Sequence, residues 1–392
     1  MKTNSPLIKV AIREYHRIIE RKTLFILSIV LPIFLFLLFA LLYKNEIVND
    51  VPIGVLDMDN SETSLLITRY IDATSYIKVA NQYYDIEDVK SDVRKGKIHG
   101  AIYIPHNTEK NLKTGKPVFI TIYKNTSNLV IGNLIYKDAM TVIKSVSGGV
   151  LLKKLKTKGM HPEKAYNIMQ PIKVETKSLY NPNYSYLNYL VPGLLACMLQ
   201  MIIMLSGVLV ISSEFVHNTF GELISIANSN IFTIIIGKSL PHVVFHFITA
   251  VSIIGVIFPI FNLTIAGTTF NLLLLFLVFI LASFFMAFMI SSLFHDQMFA
   301  TELALFINTP AFLFSGFTFP LTSMPLLHNI FASIIPFTHF LYGYLMIYQM
   351  GTPLSYAMGF VWKLTLFIVI SLIVIIVSLK HHIKVELSKQ NG

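Results

Sequence analysis

The first apolar run of the chain reads TLFILSIVLPIFLFLLFALLY from Thr23 to Tyr43 and contains no charged residue. A bilayer core of about 30 Å is crossed by about 20 helical residues at 1.5 Å each, so this run is long enough for one membrane span. A cleaved signal peptide is the alternative, but its apolar region usually has only about 7–15 residues and ends at small residues. The run therefore predicts transmembrane helix 1 over residues 23–43.

The composition of the whole chain agrees with a membrane protein. Asp, Glu, Lys and Arg make up 13% of the 392 residues, whereas soluble proteins average about 25%. The mean hydropathy is +0.65, and the apolar residues are concentrated in runs too long for core helices. Cys197 is the only cysteine, so an intrachain disulfide and a cysteine zinc cluster are excluded.

Five further apolar runs follow a polar stretch of about 140 residues, and each could cross a bilayer. They cover Leu187–Ile211, Ile234–Phe258, Leu272–Leu293, Phe299–Phe319 and Val361–Leu379. Residues 187–379 are therefore predicted to form a bundle of transmembrane helices 2–6. Residues 212–230 would be a loop between helices 2 and 3.

The distribution of Lys and Arg predicts the orientation of these spans. Six basic residues precede the first span, whereas the segments Ile260–Asn271 and Thr318–Val361 contain none. Both ends of the chain are therefore expected in the cytoplasm, with residues 380–392 as a cytoplasmic tail. Residues 44–186, which follow the first span, would then lie outside the cytoplasm. Their many lysines do not contradict this location, because long domains cross the membrane largely regardless of their charge.

Residues 44–186 alternate strand and helix patterns, which predicts an α/β domain. Val51–Leu56 is a strand candidate, Ser61 offers an N-cap to the next helix, and a long helix is predicted over Leu129–Lys158. Four lysines lie near the end of that helix, at positions 153, 154, 156 and 158. They are typical of a solvated helix C-terminus, with contact to acidic lipid or to a partner as the alternative. No aromatic platform accompanies them, so nucleic-acid binding is not expected.

Two further segments are expected at the membrane surfaces. Within residues 1–22, the helix Pro6–Lys22 carries an apolar stripe and places its arginines elsewhere, which is typical of a helix in the plane of the interface. It is either an anchor for the first span or the elbow of a moving bundle. Residues 318–360 are apolar but repeatedly interrupted by proline and glycine, which predicts an outer re-entrant hairpin or interfacial helices.

The predicted fold class is therefore an α-helical polytopic membrane protein. It has about six transmembrane helices with additional outer re-entrant or interfacial helices. An α/β extracytoplasmic domain is inserted between helices 1 and 2.

Sites for chemistry within the chain are sparse. Gly237-Lys238-Ser239 resembles the end of a phosphate-binding loop, but Phe232 occupies the place of its first glycine. His242 and His246 have helical metal spacing without an evident third ligand, so we interpret them as helix packing or a hydrogen-bonded interior pair. Glu302 is nearly the only charge inside a predicted span and lies either in a functional position or at the headgroup level. We predict no catalytic residue and no metal site, and hence that any transport is driven by a partner.

Several short motifs occur in a fixed order along the chain. They are Asp57-Met58-Asp59-Asn60-Ser61, Gly100 with Ile104-Pro105, Tyr180-Asn181-Pro182, Val191-Pro192-Gly193, Gly237-Lys238, Ser315-Gly316-Phe317-x-Phe319-Pro320, Met324-Pro325 and Pro336-Phe337-Thr338. In this order they resemble the permease subunits of type-2 ATP-binding-cassette (ABC) exporters, in particular the half-size subclass with a large extracytoplasmic domain. Glu214, Thr219 and Leu223 lie where that family has an E-x-x-R-G-T-x-E-x-L loop. Asn218 stands where the family motif has its glycine. Gly221 stands where the motif has its second glutamate, and Glu222 follows one position later.

The resemblance implies an arrangement of subunits. ATP and Mg²⁺ would be bound by a cytoplasmic ABC ATPase subunit, while this chain would bind no cofactor and would not itself be an enzyme. A second permease copy or a paralogue would complete a homodimer or heterodimer in the inner or plasma membrane. Membrane lipid is an expected partner, a periplasmic adaptor protein is a further candidate, and nucleic acid is not expected. The helix Pro6–Lys22 would be the elbow helix.

The resemblance also assigns roles to individual residues. Residues 212–230 would be the coupling loop that docks on the ATPase, with Glu214, Thr219, Glu222 and Leu223 as its key residues. Gly237 and Lys238 would open the third span. Candidates for the translocation path are Glu302, Asn308, Pro310, Ser315, Gly316 and Phe317, and the outer hairpin is marked by Pro320, Met324, Pro325 and Pro336.

The expected function is export of a drug-like, lipid or other amphipathic molecule, such as in multidrug efflux. The alternative is a non-transporting surface receptor or secretion-accessory protein of the phage-infection type. Such proteins share the Asp-x-Asp-x-Ser strand end and a similar topology. A secondary carrier would need charges at the bilayer midplane and two inverted repeats, neither of which the sequence contains.

Overall fold

The computed structural model describes residues 5–43, 49–161, 163, 179–181 and 185–390. Pro182 of the Tyr180-Asn181-Pro182 motif lies outside the described residues. The chain divides into two compact units, and we describe each by itself. The membrane unit comprises residues 1–46 and 178–392, and the α/β unit comprises residues 47–177.

The membrane unit begins with helix α1 (Pro6–Glu20) and helix α2 (Lys22–Leu42). Within α2, the turn Ile26–Val30 widens to a π-helix just before Pro32. A proline ring collides with the carbonyl group four residues earlier, and a wider turn relieves that collision. The predicted first span is thus one helix with a local adjustment at its proline.

The α/β unit contains a four-stranded sheet in the order β2-β1-β3-β4. The strands are β1 (Val51–Asp57), β2 (Ile77–Tyr83), β3 (Gly100–Ile104) and β4 (Thr121–Lys124). β1 runs parallel to both neighbours, and β4 is antiparallel to β3. The predicted strand at Val51–Leu56 is confirmed as the central strand β1.

Four helices cover this sheet. They are α3 (Glu62–Asp72), α4 (Ile86–Arg94), α5 (Thr108–Thr114) and α6 (Leu129–Thr157). Residues of α3 and α6 share one apolar cluster with one face of β1, whereas α4 packs on the other face. The predicted N-cap is confirmed, because the Ser64 amide donates to Ser61 Oγ and the Ser61 amide donates to Ser64 Oγ.

The Asp-x-Asp-x-Ser motif closes the carboxyl end of β1. Asp57 Oδ1 accepts hydrogen bonds from the amides of Asp59 and Asn60. The Asp59 carboxylate accepts from the amides of Thr108 and Glu109, both at 3.0 Å, which are unpaired donors in the first turn of α5. Burial would raise the pKa of Asp59, but a hydrogen bond from the Ser61 side chain and the backbone amides of α5 hold it below its ordinary value. The motif thus fixes one helix to the end of the central strand.

The membrane unit continues with helices α7 to α16. They are α7 (Tyr186–Gly207), α8 (Leu209–Val216), α9 (Phe220–Ile226), α10 (Ile231–Ile260), α11 (Thr269–Leu293), α12 (Gln297–Asn308), α13 (Ala311–Phe314), α14 (Leu326–Ser333), α15 (Pro336–Tyr348) and α16 (Leu354–Gln390). α10 widens to a π-turn over Ile253–Ile257, again just before a proline, Pro259. The core lies around α7 and α11, and α16 packs against α11.

Five of the described helical segments are long and apolar enough to cross a membrane, or six if one bent pair counts as a span. They are Lys22–Leu42, Leu187–Val216, Ile231–Ile260, Thr269–Leu293 and Leu354–Ser388. The bent pair is α14 with α15, whose axes differ by 81°. These segments and the α/β unit confirm the predicted fold class of a polytopic helical protein with about six spans.

Two segments differ from the predicted ones. The sequence predicts one span over Phe299–Phe319, but α12 ends at Asn308 and only the short α13 follows Pro310. Pro310 has no backbone N–H and therefore cannot donate a hydrogen bond to the preceding helical turn. The prediction relied on the average hydropathy of the segment, which does not register this interruption. Conversely, α16 is continuous from Leu354 to Gln390 and includes both the predicted span Val361–Leu379 and most of the predicted tail.

Candidate functional site

Charged side chains from three separate elements meet inside the membrane unit. α1 contributes Arg13, Glu14 and Arg17, α8 contributes Glu214, and α10 contributes Lys238 and His242. We call these six residues the charge cluster. Glu14, Glu214, Lys238 and His242 are at most 1% exposed, so these four residues are buried, whereas the Arg13 side chain is 22% exposed.

Glu214 accepts hydrogen bonds from all three cations of the charge cluster. Arg13 binds it through both guanidinium ends, with Nη1 donating to Oε1 at 2.7 Å and Nη2 to Oε2 at 3.0 Å. Arg17 Nη1 donates to Oε1 at 3.2 Å, and Lys238 Nζ also donates to Oε1. A bidentate arginine fixes both distance and orientation, so Glu214 holds α8 to α1 in one register.

Lys238 and His242 connect α10 to the same helix α1. Lys238 Nζ donates to Glu14 Oε2 at 2.6 Å, and His242 Nε2 lies 2.9 Å from Glu14 Oε1. Burial would raise the pKa of the Glu14 carboxyl, but the Lys238 ammonium and the Arg17 guanidinium hold it below its ordinary value. Glu14 is therefore a carboxylate at neutral pH.

A close approach between α1 and α10 makes these contacts possible. A Cβ atom on Gly237 would lie 2.6 Å from Cγ1 of Val10, closer than real side chains approach. Gly237 thus lets the backbone of α10 come near α1 at the position next to Lys238. Gly237 and Lys238 therefore have two linked roles, close packing and charge pairing.

α1 turns its charged face towards the protein, whereas a surface helix of a soluble protein turns its apolar face inward. Its charged face, with Glu14, Arg17 and the neighbouring Val10, is turned into the protein. Most of the predicted apolar stripe is exposed, as Ile8, Ile12, Tyr15 and Ile19 are each 40–46% exposed, whereas Ile18 is buried. An exposed apolar stripe on a helix held by its polar face is what a helix lying at a membrane surface requires.

The predicted coupling-loop residues lie at the edge of the charge cluster. Thr219 donates a hydrogen bond to Glu214, and the exposed Glu222 lies 3.6 Å from Arg13 Nε. Leu223 is fully buried in the core of the membrane unit. Asn218 has φ of +55°, a left-handed conformation that favours glycine and tolerates asparagine. The asparagine in place of the family's glycine is therefore compatible with the same turn.

Asn308, a predicted path residue, belongs to a second buried group. Gln200 Nε2 donates to Asn308 Oδ1 at 2.7 Å, and Asn308 Nδ2 donates to the carbonyl of Ala304 at 2.7 Å. Gln200 Oε1 accepts from the backbone amide of Phe337 at 2.6 Å. We call Gln200 and Asn308 the amide cluster. It joins α7, α12 and the start of α15 with neutral groups alone.

The other predicted path and hairpin residues are spread over α12 to α15. Glu302 is exposed on α12, Ser315 is buried, and Phe317 stacks on Tyr189 with ring centroids 4.8 Å apart. Pro310 and Gly316 flank the α13 segment and are half-buried.

The hairpin residues lie at helix boundaries: Pro320 before a 3-10 turn, Met324 after it, Pro325 before α14, and Pro336 at the start of α15.

Sequence reasoning missed Arg13, Glu14 and Arg17 as site residues. The available signal was Lys238 together with His242, one turn apart in an otherwise apolar helix, because a buried ammonium requires an acidic partner. His242 pairs with Glu14, and His246 lies 2.9 Å from Ser206 Oγ, which confirms the interpretation of a hydrogen-bonded interior pair. Among the described residues, no group of three or more His, Cys, Asp or Glu side chains could hold a metal ion.

The chain, with its apolar helices, can be compared with known protein families. The family model described as ABC-2 family transporter protein matches residues 22–380. No curated protein sequence matches the chain. Because the family model covers nearly the whole chain, this multi-pass membrane protein belongs to the ABC-2 transporter family, as an ABC permease component.

Proposed function

We propose that the chain is the permease subunit of an ABC exporter, driven by ATP hydrolysis in a separate cytoplasmic subunit. The ABC-2 family supports such an ATPase partner. The sequence lacks a complete phosphate-binding loop, because Phe232 stands where its first glycine is required. Energy for transport would then enter through a contact between subunits.

The observation that carries this proposal is the bonding of Glu214. This residue lies three positions before the polar turn of residues 217–219 and six before helix α9 begins at Phe220. Its carboxylate binds side chains of α1 and α10. A movement of the coupling loop would therefore reach two further helices through direct ionic contacts. Ion pairs without water between them transmit rigid-body displacements because their geometry is narrowly defined.

The exposed side of the coupling loop supports docking on an ATPase. Asn218, Glu222 and Ser225 are exposed, while Phe220 and Leu223 anchor α9 to the core. A cavity of about 310 Å³ opens beside the charge cluster between α1 and the residues from Ser213 to Thr219. A helix that is anchored by its apolar residues and exposes a polar side next to a cavity suits insertion into a groove of a partner protein.

The orientation in the membrane is part of the proposal. Both ends of the chain would be cytoplasmic, and the domain predicted over residues 44–186 would be extracytoplasmic. The excess of Lys and Arg before the first span supports this orientation. The exposed apolar stripe of α1 supports a position of that helix at the cytoplasmic surface of the inner or plasma membrane.

The face that α12 leaves uncovered supports an amphipathic substrate. Phe299 and Phe306 are 48% and 68% exposed, and the carboxylate of Glu302 is exposed on the same helix. In a dimer, this face would line a path between two permease copies. Aromatic rings beside a single charge would suit drug-like molecules or lipids rather than small ions.

Co-purification tests the proposal directly. We expect the tagged chain to retain an ATPase subunit in mild detergent, and the reconstituted complex to hydrolyse ATP in response to transported substrate. The variant Glu214→Ala with Glu222→Ala should lower that coupled hydrolysis without lowering membrane insertion. Glu87→Ala with Asp88→Ala, which removes two acids from α4 in the α/β unit, is the matched control.

Two outcomes would contradict the proposal. Full transport by the chain without an ATPase, abolished by dissipating the ion gradient, would indicate a secondary carrier. Absence of both transport and an ATPase partner would favour a surface receptor. Equal hydrolysis in the two double variants would show that the coupling loop does not transmit the signal through Glu214 or Glu222.

A further inference from the structure

The α/β unit contains a large groove that the proposed transport function does not use. It has a volume of about 590 Å³ and is walled by α3, α5 and α6. We call it the helical groove. Binding sites for small molecules usually have volumes of about 300–1,000 Å³, so it is large enough for a ligand.

Apolar side chains form much of the lining of the helical groove. Leu66 of α3, Leu112 of α5, and Val146 and Val150 of α6 line it. Leu66 remains 39% exposed although it is surrounded by these helices. Gly149 also lines the groove, and a Cβ atom there would meet nothing within 4 Å. The groove is therefore open beside α6 and offers apolar surface to a chain-like ligand.

Some charged side chains on the rim of the helical groove are paired, and others are not. Lys113 is paired with Glu109 at 2.5 Å, and Glu62 lies in the first turn of α3 near the same pair. Lys153 and Lys154 line the groove from α6, and neither forms an ion pair with a carboxylate among the described residues. Among the described residues, the α6 side of the groove therefore carries two lysines that no carboxylate pairs.

We propose that the helical groove binds an anionic amphiphile, whose acyl chain lies along the apolar lining while its acidic head group binds Lys153 and Lys154. Apolar lining alone would accept any hydrophobic molecule, and lysines alone would accept any anion. Their combination on adjacent turns of α6 favours a molecule that has both parts. This site is separate from the charge cluster and does not depend on ATP hydrolysis or on the direction of transport.

Photo-crosslinking on the full chain tests this inference. The chain is reconstituted in liposomes and incubated with a fatty acid that carries a photoactivatable group in its chain, and the labelled peptides are identified by mass spectrometry. We expect saturable labelling of the peptides that contain Leu66, Leu112 and residues 145–157. The methyl ester of the probe, which lacks the negative charge, should label these peptides about tenfold less, equivalent to about 1.4 kcal/mol.

Matched variants distinguish the helical groove from general adsorption. Gly149→Phe should fill the groove and abolish the labelling, and it should preserve α6 because phenylalanine has a higher helix propensity than glycine. Ser147→Phe places the same ring on an exposed part of α6 that does not line the groove, and it should leave the labelling unchanged. Lys153→Gln with Lys154→Gln should reduce the labelling, whereas Lys144→Gln with Lys158→Gln, with the same net charge, should not.

A second probe with a phosphate head group, a photoactivatable lysophosphatidic acid, distinguishes carboxylate from phosphate ligands. Saturable labelling by either probe with the expected variant pattern supports the inference. Equal labelling of the two phenylalanine variants, or of the acid and its methyl ester, would overturn it. Competition by soluble peptides but not by unlabelled fatty acid would also overturn it and would identify a protein partner instead.

Discussion

The membrane unit contains two buried polar groups that connect helices in different ways. The charge cluster joins α1, α8 and α10 with two carboxylates, three cations and a histidine. The amide cluster joins α7, α12 and α15 with two neutral side chains and backbone groups. Removing an ion from water costs several kcal/mol, whereas an amide that keeps its hydrogen bonds costs much less.

This difference indicates different roles for the two groups. A buried ion pair often contributes little net stability, but it strongly disfavours arrangements in which either partner is left alone. The charge cluster therefore suits a contact that must keep three helices in one register. The amide cluster suits a permanent joint, because it satisfies the Phe337 amide in the first turn of α15 without charge.

The largest expected effect is that of Lys238→Met. This variant removes the cation that Glu14 and Glu214 share and leaves their carboxylates less compensated inside the protein. Breaking a buried ion pair by removing one partner costs about 3–5 kcal/mol. We expect a clear decrease in the midpoint of thermal unfolding of the purified chain in detergent micelles.

Two further variants delimit this effect. Lys363→Met removes an exposed lysine from α16 and should change stability by less than about 0.5 kcal/mol. Adding Glu14→Gln to Lys238→Met should recover part of the loss, because it removes one of the carboxylates left without that cation. An equal loss of stability in Lys238→Met and Lys363→Met would show that removing the Lys238 cation does not destabilise the charge cluster.

A smaller loss is expected when the amide cluster is broken. Gln200→Leu leaves Asn308 Oδ1 and the Phe337 amide without their hydrogen-bond partner, which costs about 1–3 kcal/mol. Gln349→Leu is the matched control, because Gln349 is only half-buried and donates one hydrogen bond to the Asn188 carbonyl. In unfolding measurements under the same conditions, a loss for Gln200→Leu larger than that for Lys238→Met would reverse the proposed order of the two groups.

The features that the sequence allowed us to predict are the local ones. The N-cap at Ser61 and the strand β1 depend on residues a few positions apart, so composition and periodicity were sufficient to find them. The charge cluster joins residues that are distant in sequence, since 201 positions separate Arg13 from Glu214 and 224 separate Glu14 from Lys238. A pattern along one helix cannot specify such pairs. Lys238, as a charge in an apolar helix, could indicate only that some acidic partner was needed.

The smallest expected effect concerns the packing that brings the charge cluster together. Gly237→Ala would place a methyl group 2.6 Å from Val10 Cγ1, and overpacking of this kind usually costs about 1–3 kcal/mol. Alanine also favours a helix over glycine by about 1 kcal/mol, which offsets part of that cost. We therefore expect a net loss of about 1 kcal/mol in thermal unfolding. Gly255→Ala in the same helix meets nothing within 4 Å and should not destabilise the chain. If both variants behave alike, α1 can move away from α10 at no cost, and the register of the charge cluster then depends on its ion pairs alone.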